Sequence, residues 1–288
     1  MLPKQETLKQ LYTKRVFRML VVLLLVSVPY YIWLHRSNGL NPGSFLTFIY
    51  GESASTSLWY LYSYIGLLIV MPLLRAMVVN LCCNDYKYLA IGYLVLTGFI
   101  PCLELLFWKG QVVIHESFNP AIMTCSPIVY ALLGYFLEHV LDEEKYTKKR
   151  FAVVIVLGFV AVTITSLVTY YQSIVTNVVG DQYEKYFNCF ISIPAMGMYY
   201  IMKYISRRIK SNKVIKSISM LGASVFGVYL VEKIVRAITD IVYGILSPFV
   251  GSFIASLVWC SVVLAVSLVI ISTLKRIPYV KGIVNKLI

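Results

Sequence analysis

Three features of the sequence predict a polytopic all-α membrane helix bundle of about eight transmembrane helices. Hydrophobic residues make up 59% of the 288 residues and charged residues only 14%, whereas soluble domains carry roughly 25% charged residues. Apolar runs of about 20 residues, enough to cross a hydrocarbon core about 30 Å thick, recur along the chain. Lys and Arg concentrate in alternate connecting segments. Backbone amides in lipid have no water to bond, so such runs read as helices rather than open strands. They also lack the period-two alternation of a membrane barrel.

In order, the runs are 16–34, 57–79, 86–107, 121–141, 151–171, 186–205, 218–238 and 249–274. The first follows a basic segment, but no small-residue cleavage site follows Val28-Pro29-Tyr30-Tyr31. It therefore reads as a span, not a removed signal. With both termini placed in the cytoplasm, 21 of the 26 Lys and Arg fall on the inside, as the positive-inside rule requires of an even number of spans. The net charge of +13 is thus topological; it faces anionic lipid and implies no nucleic-acid partner. No linker rich in Pro, Gly or Ser interrupts the chain, so residues 1–288 read as a single membrane domain. The prolines Pro72, Pro101, Pro127 and Pro194 are tolerable within spans.

The six cysteines are scattered, without metal-ligand spacing, and read as small apolar core residues. No metal or bound cofactor is expected. Tyr30, Tyr31, Tyr60, Tyr62, Tyr170, Tyr171, Tyr199 and Tyr200 cluster near predicted helix ends and read as an interfacial aromatic belt.

Ionisable side chains within spans are costly, and so mark candidate sites. Lys14, Arg15 and Arg18 stand where the chain enters its first span. Arg15 and Arg18 share a helical face, and two guanidinium groups there suit bidentate phosphate binding. An ordinary basic anchor is the competing reading. Arg75, at the cytoplasmic end of the second span, adds to such a patch or snorkels to headgroups. In the seventh span, Glu232 and Arg236 have the i, i+4 spacing of an ion pair, with Lys233 beside them. Glu232 lies about 21 Å along that helix, in its outer half. Glu104 lies near the outer end of the third span, followed by His115 and Glu116; His115 could act as a base. His35 is at an outer helix end, and His139 lies inside, next to Glu138. A cationic group thus faces the cytoplasm and a mixed acid-base group faces outward, which suggests a phosphate-bearing donor inside and an acceptor outside.

The segment Leu58-Trp59-Tyr60-Leu61-Tyr62, closed by Met71-Pro72-Leu73-Leu74-Arg75, resembles a helix of the acyltransferase 3 family of bacterial membrane O-acyltransferases. Lys14-Arg15-Val16-Phe17-Arg18 is similar to that family's Lys-Arg-x-x-Arg motif. Phe226-Gly227-Val228-Tyr229-Leu230-Val231-Glu232 resembles its late Phe-Gly-Ile-Tyr-Leu-Ile-His helix. The resemblance implies a multi-pass protein of the bacterial cytoplasmic membrane. Its reaction moves an acyl group, often acetyl, from cytoplasmic acyl-CoA to a hydroxyl of an extracytoplasmic glycan or other envelope molecule. It implies donor handling by Arg15 and Arg18, to which Lys14 and Arg75 of the same basic group are added as donor-side candidates. The candidate acceptor-side residues are Trp59, Tyr62, Glu104, Tyr229, Glu232 and Arg236.

The sequence departs from the family pattern in its histidines. The family's first helix carries an Arg and, some ten residues on, a His taken as the base. Neither His35, His115 nor His139 matches it; Ser57 replaces the His before Trp, and Glu232 replaces the late His. The chain is therefore expected to lack the family's first two helices. It is either inactive as it stands or uses another base, for which Glu232 and His115 are the candidates. A membrane transporter or flippase for a sugar or lipid-linked substrate is the alternative. It requires inverted repeats and broken helices around a mid-membrane site, whereas the enzyme requires a path joining the two polar groups.

Overall fold

The computed structural model describes residues 6–34, 42–51, 58–109, 120–141, 147–177 and 189–276. Every regular element among them is helical. In chain order these are α1 (Leu8–Gln10), α2 (Phe17–Leu34), α3 (Pro42–Gly51), α4 (Trp59–Asn80), α5 (Cys83–Leu94) and α6 (Ile100–Trp108). They continue with α7 (Ala121–Thr124), α8 (Ser126–Tyr135), α9 (Lys148–Thr176), α10 (Cys189–Ser206) and α11 (Asn212–Leu274). Three π-helical stretches interrupt them: π1 (Leu11–Val16), π2 (Val95–Phe99) and π3 (Phe136–Val140).

Among the described residues, five helical segments are long and apolar enough to cross a membrane: Leu8–Trp33, Trp59–Asn80, Cys83–Trp108, Lys148–Val175 and Asn212–Leu274. Large apolar side chains point outward from them, Phe159 at 74% and Phe249 at 83% exposure. In water such a surface would drive aggregation; in lipid it is the solvated face. The all-α membrane class expected from the sequence is therefore what the structure shows. The runs at 121–141 and 186–205 fall on α7–α8–π3 and on α10.

The described residues cluster into two compact units. A terminal unit comprises Glu6–Ile69 and Ser211–Ile288, and a middle unit contains Val70–Lys210.

In the terminal unit, Thr7 and Gln10 form a reciprocal capping box that starts α1. Tyr31 on α2 packs against Phe45 and Phe48 of α3, at 5.2 and 5.4 Å, and its hydroxyl bonds Ser44. Tyr62 on α4 donates to the Ile49 carbonyl at 3.0 Å. Leu61, Ile65 and Leu68 form a buried stripe of α4, continued by Leu58 just before the helix, spaced three or four apart as a helix face requires.

The 63-residue α11 holds the two runs 218–238 and 249–274, and it is a hairpin. Gly251 has φ 78° and ψ 156°, a region that only glycine occupies without strain. Lys275 donates to the Ala223 carbonyl at 3.2 Å. A Cβ on Gly227 would meet Ile271 at 3.0 Å. Trp259 Nε1 donates to Thr239 Oγ1 at 3.1 Å. These pairs converge on the corner at Gly251, so its two arms are antiparallel. Gly251→Ala is expected to destabilise the protein by about 1–3 kcal/mol, read as a lower Tm in detergent. Gly244→Ala, at a helical glycine with no neighbour within 4 Å, should be neutral or slightly stabilising. An equal response at both positions refutes the strain argument.

In the middle unit, π2 ends just before Pro101. Proline lacks the N–H that would bond the carbonyl four residues back, and the widened turn accommodates that loss. Cys125 is extended (φ −76°, ψ 91°) and separates α7 from α8; Pro127 follows in the first turn of α8. Pro72 and Pro194 lie inside continuous helices. The hydroxyls of Tyr93 and Ser126 are 2.9 Å apart in a buried bond that ties α5 to α8.

The cysteines whose burial is described are not the core residues expected. Cys82, Cys83 and Cys260 are exposed, and Cys102 and Cys125 are half-buried. Cys82 and Cys83 flank the junction of α4 and α5, where little packs over them. Several tyrosines also depart from the belt reading. Tyr30, Tyr31 and Tyr200 are buried, because each faces a neighbouring helix rather than the headgroup level.

Candidate functional site

The terminal unit brings together most of the residues singled out from the sequence. Arg15 lies in π1 and Arg18 on the first turn of α2. The π turn places the Phe17 N–H on the Tyr12 carbonyl, a widening frequent at functional sites. Arg15 Nη2 donates to Glu6 Oε1 at 2.7 Å, a partner the sequence reading missed because Glu6 lies upstream of the motif. Arg18 is half-buried, and its Nε makes no hydrogen bond among the described residues. Lys14 is exposed beside them. Both arginines lie within electrostatic reach of the Tyr64 hydroxyl on α4.

From Tyr64 an aromatic and hydroxyl line continues. Tyr60, one turn away, stacks with Tyr64 at 6.1 Å and meets Tyr229 of α11 edge-on at 5.8 Å. Trp59 contacts Tyr60 at 6.0 Å. The Tyr229 hydroxyl lies beside the Leu61 backbone and within reach of Tyr30, Tyr60 and Glu232. Tyr30 on α2 donates to the Leu230 carbonyl at 3.1 Å. Glu232 accepts from Arg236 Nη1 at 3.4 Å, the i, i+4 pair read from the sequence. Arg236 also lies over the Trp259 ring at 5.2 Å.

Along α2, Arg18 and Tyr30 are about 18 Å apart, more than half of a hydrocarbon core. The line therefore runs from a cationic end to a mixed acid-base end through hydroxyl-bearing side chains. The Tyr60–Tyr64 spacing of one helical turn was visible in the sequence; the closure of Tyr30 and Tyr229 onto that face was not.

The other expected residues lie elsewhere. Arg75 and Glu104 belong to the middle unit. Both are half-buried. His139 rests against Tyr135 at 4.8 Å in the middle unit; its neighbour Glu138 pairs with Lys203 at 2.9 Å and bonds the Tyr199 hydroxyl. His35, His115 and Glu116 lie outside the described residues. Among the described residues, no three His, Cys, Asp or Glu side chains converge as a metal site would require.

Fold and site together define a class: a multi-pass membrane protein with polar side chains aligned through apolar spans. Residues 1–274 match the family model of an acyltransferase domain, acyltransferase 3. The chain belongs to that family, as its sequence motifs suggested. No curated protein and no solved structure matches the chain.

Proposed function

We propose that the chain transfers an acyl group, acetyl as the leading choice, from cytoplasmic acyl-CoA to a hydroxyl of an extracytoplasmic glycan or envelope molecule, in the cytoplasmic membrane of a bacterium. The observation that carries this reading is the line from Arg15 and Arg18 through Tyr64 and Tyr60 to Tyr229, Tyr30 and Glu232. Guanidinium groups at its cationic end suit the phosphates of the donor. Aromatic faces and hydroxyls near the other end suit a sugar.

The chemistry balances without redox change. The acceptor oxygen attacks the thioester carbonyl carbon, a C–O bond forms and the C–S bond breaks. The hydroxyl proton passes to a base, and the departing CoA thiolate takes up a proton. Base assistance requires a group in hydrogen-bond reach of the attacking hydroxyl. Glu232, which stands at the family's late His position, is the carboxylate on the line placed to fill this role. Within the same unit, the donor-side role extends to Lys14, and the acceptor-side role to Trp59, Tyr62 and Arg236.

The test reconstitutes the 288-residue chain in liposomes with radiolabelled acetyl-CoA and a glycan acceptor. Expected is chain-dependent release of CoA with label appearing in ester linkage. No release above empty liposomes, together with uptake of an unmodified sugar, would favour transport instead.

A further inference from the structure

A second site, separate in its residues from the line above, lies within the middle unit. Helices α5, α8, α9 and α10 enclose a cavity of about 260 Å³. Its walls are almost wholly apolar, with Ala90, Leu94, Leu133, Val154, Leu157 and Met196 among them. Leu157 is exposed, so the cavity is not sealed from the surface of α9. Two close approaches hold α9 and α10 together beside it. A Cβ on Gly197 would meet Val154 at 3.1 Å, and one on Gly158 would meet Pro194 at 3.9 Å.

One end of this cavity is strongly cationic. Phe151 of α9 stacks on Tyr204 of α10 at 4.6 Å, and Arg208 lies over the same Tyr204 ring at 3.9 Å. These contacts tie the start of α9, with Lys148, Lys149 and Arg150, to the end of α10, with Lys203 in its last turn and Arg207, Arg208 and Lys210 in the segment that follows. Lys148, Lys149 and Arg150 lie within about two helical turns of Val154, and Lys203 within one of Tyr200; both Val154 and Tyr200 line the cavity. The acids described at this end are committed. Glu138 is paired with Lys203 and bonded by Tyr199, and Asp85 accepts from the Cys82 N–H at 2.7 Å. Asp142, Glu143 and Glu144 lie outside the described residues.

We propose that this is a binding site for an anionic phospholipid, with one acyl chain in the cavity and the phosphate headgroup against the basic residues of α9 and α10. The volume sits below the lower end of drug-sized pockets, about 300 Å³, so it suits a chain segment and leaves the headgroup outside. Apart from the hydroxyl-bearing Tyr93, Ser192 and Tyr200 the walls are apolar, so a polar ligand would lose most of its hydrogen bonds on entering. The adjoining cations supply the attraction that distinguishes an anionic from a zwitterionic headgroup.

The experiment is native mass spectrometry of the full chain, released from micelles containing phosphatidylglycerol or phosphatidylcholine with identical acyl chains. Expected is preferential retention of phosphatidylglycerol. The triple variant Lys149→Gln, Arg150→Gln, Arg208→Gln should lower that preference by about fivefold per charge removed. Ala90→Trp, which fills the cavity, should reduce retention of both lipids; Leu157→Trp serves if that variant misfolds. Equal retention of the two lipids, or retention unmoved by either class of variant, overturns the proposal. So does displacement of phosphatidylglycerol by equimolar palmitoyl-CoA, which would assign the cavity to an acyl donor.

Discussion

Replacing both Arg15 and Arg18 with alanine is expected to weaken acyl-CoA binding by about 10²-fold or more. Each hydrogen bond to a charged group is worth about 1.5–3 kcal/mol, and two are removed. Arg18 Nε is buried without a hydrogen bond among the described residues, so its loss frees no internal partner. Insertion and helical content should survive, since both residues stand at the start of the first span rather than in its packed middle. The Arg15→Lys, Arg18→Lys variant should recover only part of the affinity, because an ammonium keeps the charge but not the planar fork. Glu6 supplies a check of opposite sign. Its carboxylate holds Arg15 at 2.7 Å and competes with a phosphate for the same guanidinium. Glu6→Gln should tighten donor binding by up to about fivefold, the range of a partly exposed ion pair. The measurement is a titration of the detergent-purified chain with acetyl-CoA. Unchanged affinity in the double alanine variant refutes the donor patch.

Glu232→Gln is expected to slow acyl transfer by about 10²- to 10⁴-fold, the usual contribution of a general base, while leaving donor affinity unchanged. The amide is nearly isosteric and can still accept from Arg236, so packing of α11 should persist. Arg236→Gln separates the two roles: it breaks the 3.4 Å pair but keeps the carboxylate, and should cost far less activity. A loss of equal size in both variants, with a lower Tm, would make Glu232 a structural half of an ion pair. Full activity in Glu232→Gln would remove it from the mechanism.

Much of this arrangement was legible in particular residues. The Glu232–Arg236 contact follows from i, i+4 spacing on any helix. Arg15 and Arg18 both lie within electrostatic reach of Tyr64, although π1 widens the turn that ends between them. Pro127 reads as tolerable within a span, yet the helix breaks two positions before it, at Cys125. Other features left little local trace. Tyr30 and Tyr60 look alike as aromatic residues near helix ends, yet Tyr30 is buried against α11 while Tyr60 is 48% exposed. Nothing near Gly251 in sequence states that its φ is positive; that conformation is selected by the contacts of the two arms it joins.

The sequence by itself determined the all-α membrane class and most of the helical runs. Hydropathy and charge act through solvation, residue by residue, and lipid leaves the backbone no alternative to the helix. The tertiary structure decided which polar residues meet. The bond from Tyr30 to Leu230 joins positions 200 residues apart, and the Glu6 carboxylate turns back onto Arg15. So do the hairpin of α11 and the cavity of the middle unit. Each depends on the packing of one helix against another, which sets distances that spacing along a single helix does not encode.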